Sequence, residues 1–315
     1  MKRFKKLLVY TGTDQPEDAI NHAIALAIEN NATLTFMEVV KAMPRALGLM
    51  KEIAQPKEIE DLVVEDHRRK LLDRISAYSD IAIPIDVVVS VGDPATEIIR
   101  EVLRNDHDLV VKSADGFTGA GRFFGSIARS LLRLCPCAVL LLKPALHGEF
   151  DNVLAAIDVD ATDQSHQSLN ESIVELSTQI AKQDNAKLHL VAAWEFLMEK
   201  PLRRRAGDAE VDAALEAHDA SVRQAAKELL SHHGGEGIQV DLRIERGSAS
   251  TVIRDSVEKT AADLLVMGTV CRTGVAGFLI GNTAETVLSN VTCSVLALKP
   301  QGFVCPIDLD DESEQ

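Results

Sequence analysis

The segment Cys137-Ala-Val-Leu-Leu-Leu-Lys-Pro144 returns 156 residues later as Cys293-Ser-Val-Leu-Ala-Leu-Lys-Pro300. Each copy is a short, continuous apolar run stopped by Lys-Pro, the pattern of a parallel strand buried on both faces. Other pairs keep nearly the same spacing. Val91-Gly92-Asp93 matches Arg246-Gly247-Ser248, and Asp108-Leu-Val-Val111 matches Asp263-Leu-Leu-Val266, both at 155. Gly125-Ser126 matches Gly281-Asn282 at 156, so the first copy is one residue shorter in the intervening loop. Strand ends and glycines that recur at a fixed distance make this chain two copies of one unit. Its 315 residues suit that count, at roughly 100–200 residues per domain.

Within each copy, strand-like and helix-like runs alternate. The first reads as a strand at Lys6–Thr11, a helix at Ala19–Glu29, a strand at Ala32–Val40, and a loop with some helix at Lys41–Lys51. A long helix follows at Glu58–Tyr78, then strands at Ile85–Val91, Asp108–Lys112 and Ala138–Lys143 with helices between them. The second repeats the series: strands at Asn152–Asp158, Ala186–Trp194, Ile238–Arg246, Leu264–Gly268 and Cys293–Lys299, with helices at Ser165–Lys182, Glu210–His232, Val252–Lys259 and Thr283–Leu288. Strict β-α alternation predicts α/β domains, each an open five-stranded parallel sheet with helices on both faces. The expected boundaries are 1–146 and 150–302, with an acidic tail over 303–315. The short connection Ala145–Phe150 predicts that the two sheets pack as a pseudo-dimer within one chain, and leaves a further homodimer open.

Charge narrows the partners. A formal net charge of −15 argues against nucleic acid, whose phosphates need a basic face, and against an anionic membrane surface. Met1-Lys2-Arg3-Phe4-Lys5-Lys6 imitates a signal-peptide start, but only Leu7–Tyr10 follows as an apolar run, so a cytoplasmic protein is expected. Five cysteines, an odd number in a long chain, do not suggest a disulfide framework. Cys135-Pro136-Cys137 leads into a buried strand and reads as core packing over redox work. His232-His233 reads as a helix end, without an acid or cysteine cluster to complete a metal site. Gly119-Ala-Gly121-Arg-Phe-Phe-Gly125 approaches a dinucleotide fingerprint but lies too far beyond its strand. No Walker motif, nucleophile elbow or other catalytic constellation is visible, so binding is favoured over catalysis.

The chemistry concentrates in Leu264–Glu285. The buried run Leu264–Met267 ends at Gly268, and a glycine-bearing loop reaches Gly281-Asn282-Thr283-Ala284-Glu285. Asn282 and Glu285 read as an N-cap and its capping partner. A strand, a glycine loop and a fresh helix start form an anion site, because free amides point outward and glycine admits a phosphate closely. The layout resembles the nucleotide loop of the universal stress protein family, G-x2-G-x9-G-(S/T), with Cys271 at the second glycine and Asn282 at the Ser/Thr. With the repeated strand order and the acidic end, the whole chain resembles a tandem member of that family, of the adenine nucleotide alpha hydrolase-like fold.

The resemblance implies ATP or a related adenine nucleotide in the second domain, with Mg2+ accompanying it. It implies that Asp158, with Asp160 as an alternative, meets the adenosine part, and that backbone near Ala193 meets the adenine edge. Met267 would pack under the base, Gly268 and Thr269 would approach ribose and phosphate, and Arg272 would add charge. Gly281, Asn282 and Thr283 would hold the phosphate tail. The first domain has Gly12, Ser113 and Arg129 where the second has Asp158, Gly268 and Glu285, so it reads as degenerate, with a remnant anion site at Gly125 and Ser126. Stress resistance, including tolerance of DNA damage, is likewise implied by the family. The alternatives are an interaction module without nucleotide, a receptor for another small amphipathic metabolite, and a slow ATPase.

Overall fold

The computed structural model describes residues 4–12, 17–42, 56–78, 80–114, 125–143, 149–159, 164–196, 198–234, 237–269 and 281–309. Contacts divide the chain into two compact units. The first takes in Met1–Gly116, Phe124–His147 and Val304–Gln315, so the described end of the chain, 304–309, groups with the first unit. The second takes in the described residues from 149 to 303. Among the described residues no helix is long and apolar enough to cross a membrane.

The first unit runs β1 (Lys6–Tyr10), α1 (Glu17–Asn30), β2 (Thr33–Val40), α2 (Pro56–Ile75), β3 (Ile85–Val91), α3 (Pro94–Asn105), β4 (Leu109–Ser113), α4 (Ser126–Leu134) and β5 (Ala138–Leu142). Its strands lie in the order β3-β2-β1-β4-β5, every pair parallel. The second unit runs β6 (Asn152–Ile157), α5 (Gln164–Gln183), β7 (Lys187–Trp194), α6 (Glu199–Ala206), α7 (Asp208–His233), β8 (Val240–Arg246), α8 (Ala249–Thr260), β9 (Leu264–Gly268), α9 (Asn282–Leu288) and β10 (Ser294–Leu298). Its order is β8-β7-β6-β9-β10, again parallel throughout. In both units the first strand sits between the second and fourth, so the order reverses beside it. The crevice at such a switch point is where open α/β sheets bind ligands.

The central strands are apolar because both faces are covered. Leu7, Leu8 and Val9 of β1 and Leu264, Leu265 and Val266 of β9 are fully buried. Identical local devices set both frames. The Asp108 carboxylate accepts the amides of Lys5 and Lys6 at 2.7 and 3.1 Å. Asp263 accepts those of Asp151 and Asn152 at 2.7 and 3.1 Å. Gly92 and Gly247 adopt φ of 150° and 149°, and the left-handed residues Asp106 and Ala261 close α3 and α8 at φ of 53° and 50°.

Three local expectations change. The single helix expected over Glu58–Tyr78 is α2 followed by a 3-10 turn at Ser76–Tyr78. The sequence pattern assigns no helix between Trp194 and Glu210, yet α6 forms there and contains Pro201. The proline stands in the first turn, where its missing N–H has no helical acceptor to lose. Asn282 is not an N-cap: α9 begins with it, and Gly281 is the cap, with no side-chain hydrogen bond.

Candidate functional site

The second unit carries a cleft of about 430 Å³ at the C-terminal edge of its sheet. Its walls are the ends of β6, β7 and β9, the first turns of α5, and the starts of α8 and α9. The floor is apolar: Ile157, Val191, Ile253 and Met267 face it together.

Asp158 follows β6, and its backbone is fixed from α5. The Asp158 amide donates to Asn170 Oδ1 at 3.0 Å, and Asn170 Nδ2 donates to the Asp158 carbonyl at 2.7 Å. On the other side of the floor, a Cβ at Gly268 would come 2.5 Å from Leu169 Cδ2, so a larger residue there would displace the end of the Leu169 side chain. β7 ends at Trp194, whose carbonyl accepts the Gly247 amide at 3.0 Å. The indole donates to Asp219 Oδ1 at 3.0 Å, and the Arg246 guanidinium lies 5.5 Å from the ring centroid. Asp219 is held below the usual carboxylate range chiefly by the Arg223 guanidinium, with the indole N–H adding to it. Arg246 also pairs with Glu199 at the start of α6, which fixes that helix beside the end of β7.

Two helix starts meet at the cleft. The first helical bond of α9 runs from the Glu285 amide to the Gly281 carbonyl at 2.9 Å, which leaves the amides of Asn282, Thr283 and Ala284 outside the ladder. In α8 the first bond runs from Val252 to Ser248 at 3.0 Å, which leaves those of Ala249, Ser250 and Thr251 in the same position. Ser248 Oγ hydrogen-bonds Thr251 Oγ1 at 2.8 Å. In the first unit the equivalent cap is Asp93, whose carboxylate accepts from the amide and hydroxyl of Thr96 at 3.0 and 2.9 Å. The second unit thus presents a neutral cap where the first presents a negative charge.

Of the residues singled out in the sequence, Asp158, Ala193, Met267, Gly268, Gly281, Asn282 and Thr283 line this one cleft. Thr269 sits beneath it: fully buried, its amide donates to the Leu298 carbonyl at 3.2 Å. The Gly281 amide is engaged by the Thr269 carbonyl at 3.1 Å, so Gly281 contributes shape and not a donor. Arg272, Cys271 and Asp160 lie outside the described residues. Sequence reasoning passed over His166, Leu169 and Asn170, which reach the cleft with Ile173. Their i, i+3, i+4, i+7 spacing on the expected helix was the available signal.

In the first unit, Gly125 caps α4, with Ser126 as its first residue. Lys112 holds the register position of Met267 and is buried, its Nζ donating to the Ser113 carbonyl at 2.7 Å. Gly12, at the place of Asp158, has φ of 51°. Among the described residues no group of three or more His, Cys, Asp or Glu side chains could hold a metal.

The sequence profile described as "Universal stress protein family" matches residues 3–143 and again 149–299. Universal stress protein E of Escherichia coli K12 is 30% identical over 256 residues, covering 80% of each chain. Universal stress protein E of Photorhabdus laumondii is 25% identical over 317 residues, covering 98% of each. Among solved structures, a putative universal stress protein from Pseudomonas aeruginosa UCBPP-PA14 superposes with a TM-score of 0.68 at 26% identity, over 95% of this chain and 94% of that one. With a profile match across both halves, a shared strand order and relatives of this extent, the chain belongs to the universal stress protein family.

Proposed function

We propose that the second unit binds an adenine nucleotide, ATP or a close relative, and that the chain acts in stress resistance by binding and not by turnover. The observation that carries this reading is the convergence of seven sequence-marked residues on one cleft. The groups suit the ligand part by part. The Asp158 carboxylate would accept from ribose hydroxyls, and Met267, Val191 and Ile253 offer an apolar bed for a base. The amides at the starts of α8 and α9 would receive phosphate oxygens, whose charge the two helix dipoles favour. The neutral Ser248 cap removes the repulsion an aspartate would exert there. Mg2+ would arrive with the phosphates, since the described side chains around the cleft form no metal cluster.

The repeated backbone devices and the double profile match support an origin by duplication, with a second copy that kept the ligand site. In the first copy Lys112, Gly12 and Asp93 replace an apolar bed, a carboxylate and a neutral cap, which supports a companion domain without adenine nucleotide. The relatives' shared name supports the stress role; tolerance of DNA damage and action in the cytoplasm belong to the same reading.

Native mass spectrometry and calorimetry of the whole chain with MgATP test it. The expected result is one nucleotide per chain, with affinity reduced about tenfold or more, about 1.4 kcal/mol, by Asp158→Ala or Gly281→Val. No uptake by the unaltered protein at millimolar ATP would remove the proposal. Phosphate release that scales with protein concentration and is abolished by Asp158→Ala would convert binding into slow hydrolysis.

A further inference from the structure

The turn between α4 and β5 in the first unit holds two thiols side by side: Cys135 Sγ and Cys137 Sγ are 3.5 Å apart. Both are reduced, Cys135 completely buried and Cys137 half-buried. The sequence fixes this placement through Pro136. A residue before proline is driven to extended backbone, and Cys135 has φ −65°, ψ 130°. Its amide donates to the Leu131 carbonyl at 2.9 Å, which anchors it to the end of α4. Proline fixes its own φ, so little backbone freedom separates the two sulfurs. Cys137 Sγ leans on the Ala138 carbonyl at 3.5 Å as β5 begins. In the second unit the same turn reads Val291-Thr292-Cys293, so the paired thiols belong to the first unit alone.

We propose that Cys135 and Cys137 are a modification site, oxidised reversibly to an intra-turn disulfide by a hydroperoxide. Cys137, the less buried of the two, is the entry point. Its thiolate attacks the O–O bond of hydrogen peroxide, which leaves a sulfenic acid on Cys137 and releases hydroxide. The Cys135 thiolate, its proton taken up by that hydroxide, then attacks the Cys137 sulfur, forms the S–S bond and expels a second hydroxide, which is protonated to water. The net change consumes two thiols and one peroxide and yields one disulfide and two waters. The sulfurs must close from 3.5 Å to about 2.05 Å, a movement within the reach of side-chain rotation.

The surroundings set the rate. The Cys137 thiol is held well above its usual range, first by its contact with Cys135, then by burial, with Asp108 adding negative charge. Since the thiolate is the reacting species, oxidation is slow near neutrality and accelerates roughly tenfold per pH unit below that pKa. A resolving thiol already in contact captures the sulfenic acid before further oxidation.

The test treats the whole chain with hydrogen peroxide, labels the remaining thiols with N-ethylmaleimide under denaturing conditions, and maps tryptic peptides by mass. Trypsin has no site between the two cysteines, so the expected product is one peptide two hydrogens lighter and unlabelled, which takes two labels after dithiothreitol. Its yield at fixed time should rise with pH. Cys137→Ser should leave Cys135 labelled after the same treatment. Both thiols labelled after peroxide, accumulation of sulfinic acid on Cys137, or a cross-link from either cysteine to Cys293, Cys305 or Cys271 would overturn the proposal. Because the readout is mass alone, it is independent of whether the second unit binds nucleotide.

Discussion

Asn170 pairs with both backbone groups of Asp158, receiving its amide at 3.0 Å and donating to its carbonyl at 2.7 Å. A side-chain amide thereby continues the β-sheet pairing one residue past the end of β6, and the carboxylate that lines the cleft is held by α5. Asn170→Ala removes both partners at once. We expect a loss of about 1–3 kcal/mol in chemical denaturation, and weaker MgATP binding than that of the unaltered chain. Asn170→Asp keeps one acceptor but sets an oxygen against the Asp158 carbonyl, and should not restore either property.

The doubly accepting carboxylates Asp108 and Asp263 make a matched pair of tests. Each receives two adjacent amides at 2.7 and 3.1 Å. Asp108→Ala and Asp263→Ala should each cost about 2 kcal/mol, since hydrogen bonds to a charged acceptor exceed neutral ones. Asp→Asn at either place, which keeps one acceptor oxygen, should cost less. Denaturation followed by hydrogen exchange should assign each loss to its own unit.

Gly92 and Gly247 share one backbone state but not one neighbourhood. At φ of 150° and 149° either alanine is strained, by about 1–2 kcal/mol. A Cβ at Gly92 would also stand 3.1 Å from Glu97 Cγ, whereas at Gly247 it would stand 3.4 Å from Val252 Cγ2. Thermal unfolding should therefore rank Gly92→Ala below Gly247→Ala.

Two carboxylates should tilt the pH dependence of stability in opposite senses. Glu101 is held below its usual range, chiefly by His107 at 3.5 Å and also by Asn105, which donates at 2.7 Å. Its stabilisation is complete above the unfolded pKa of about 4.3 and is lost as pH falls through the lower folded value. Glu101→Gln should flatten that acid limb. Asp184 is raised, chiefly by burial, although it accepts the Phe150 amide at 3.0 Å. Its contribution is complete below the unfolded pKa of about 3.9 and is lost as pH rises through the folded value. Asp184→Asn, which keeps an oxygen for Phe150, should raise the melting temperature at pH 7 and leave it unchanged at pH 3.

Much of this architecture could be read directly from the residues. Apolar runs such as Leu264–Met267 can be buried only as inner strands, and the recurrence at 155–156 residues carries one strand order into the other half. That Asp158, Met267 and Gly281 would line one cleft was legible because strand ends and helix starts fall at one edge of any parallel sheet. Asn170 and Leu169 were not, because a helix pattern states which residues share a face but not what that face meets. Likewise Asn282 and Glu285 satisfy the capping pattern one residue away from the true cap, Gly281.

The sequence by itself determined the two-fold repetition, the parallel β-α order and the edge at which a ligand would sit, since these follow from hydrophobic period and chain punctuation. Only the tertiary structure decided which groups are already engaged. It commits the Gly281 amide to Thr269, sinks the Thr269 side chain beneath the cleft and brings the Cys135 and Cys137 sulfurs into contact. Hydrogen-bond partners and side-chain distances depend on packing between segments far apart in the chain, and no local pattern encodes them.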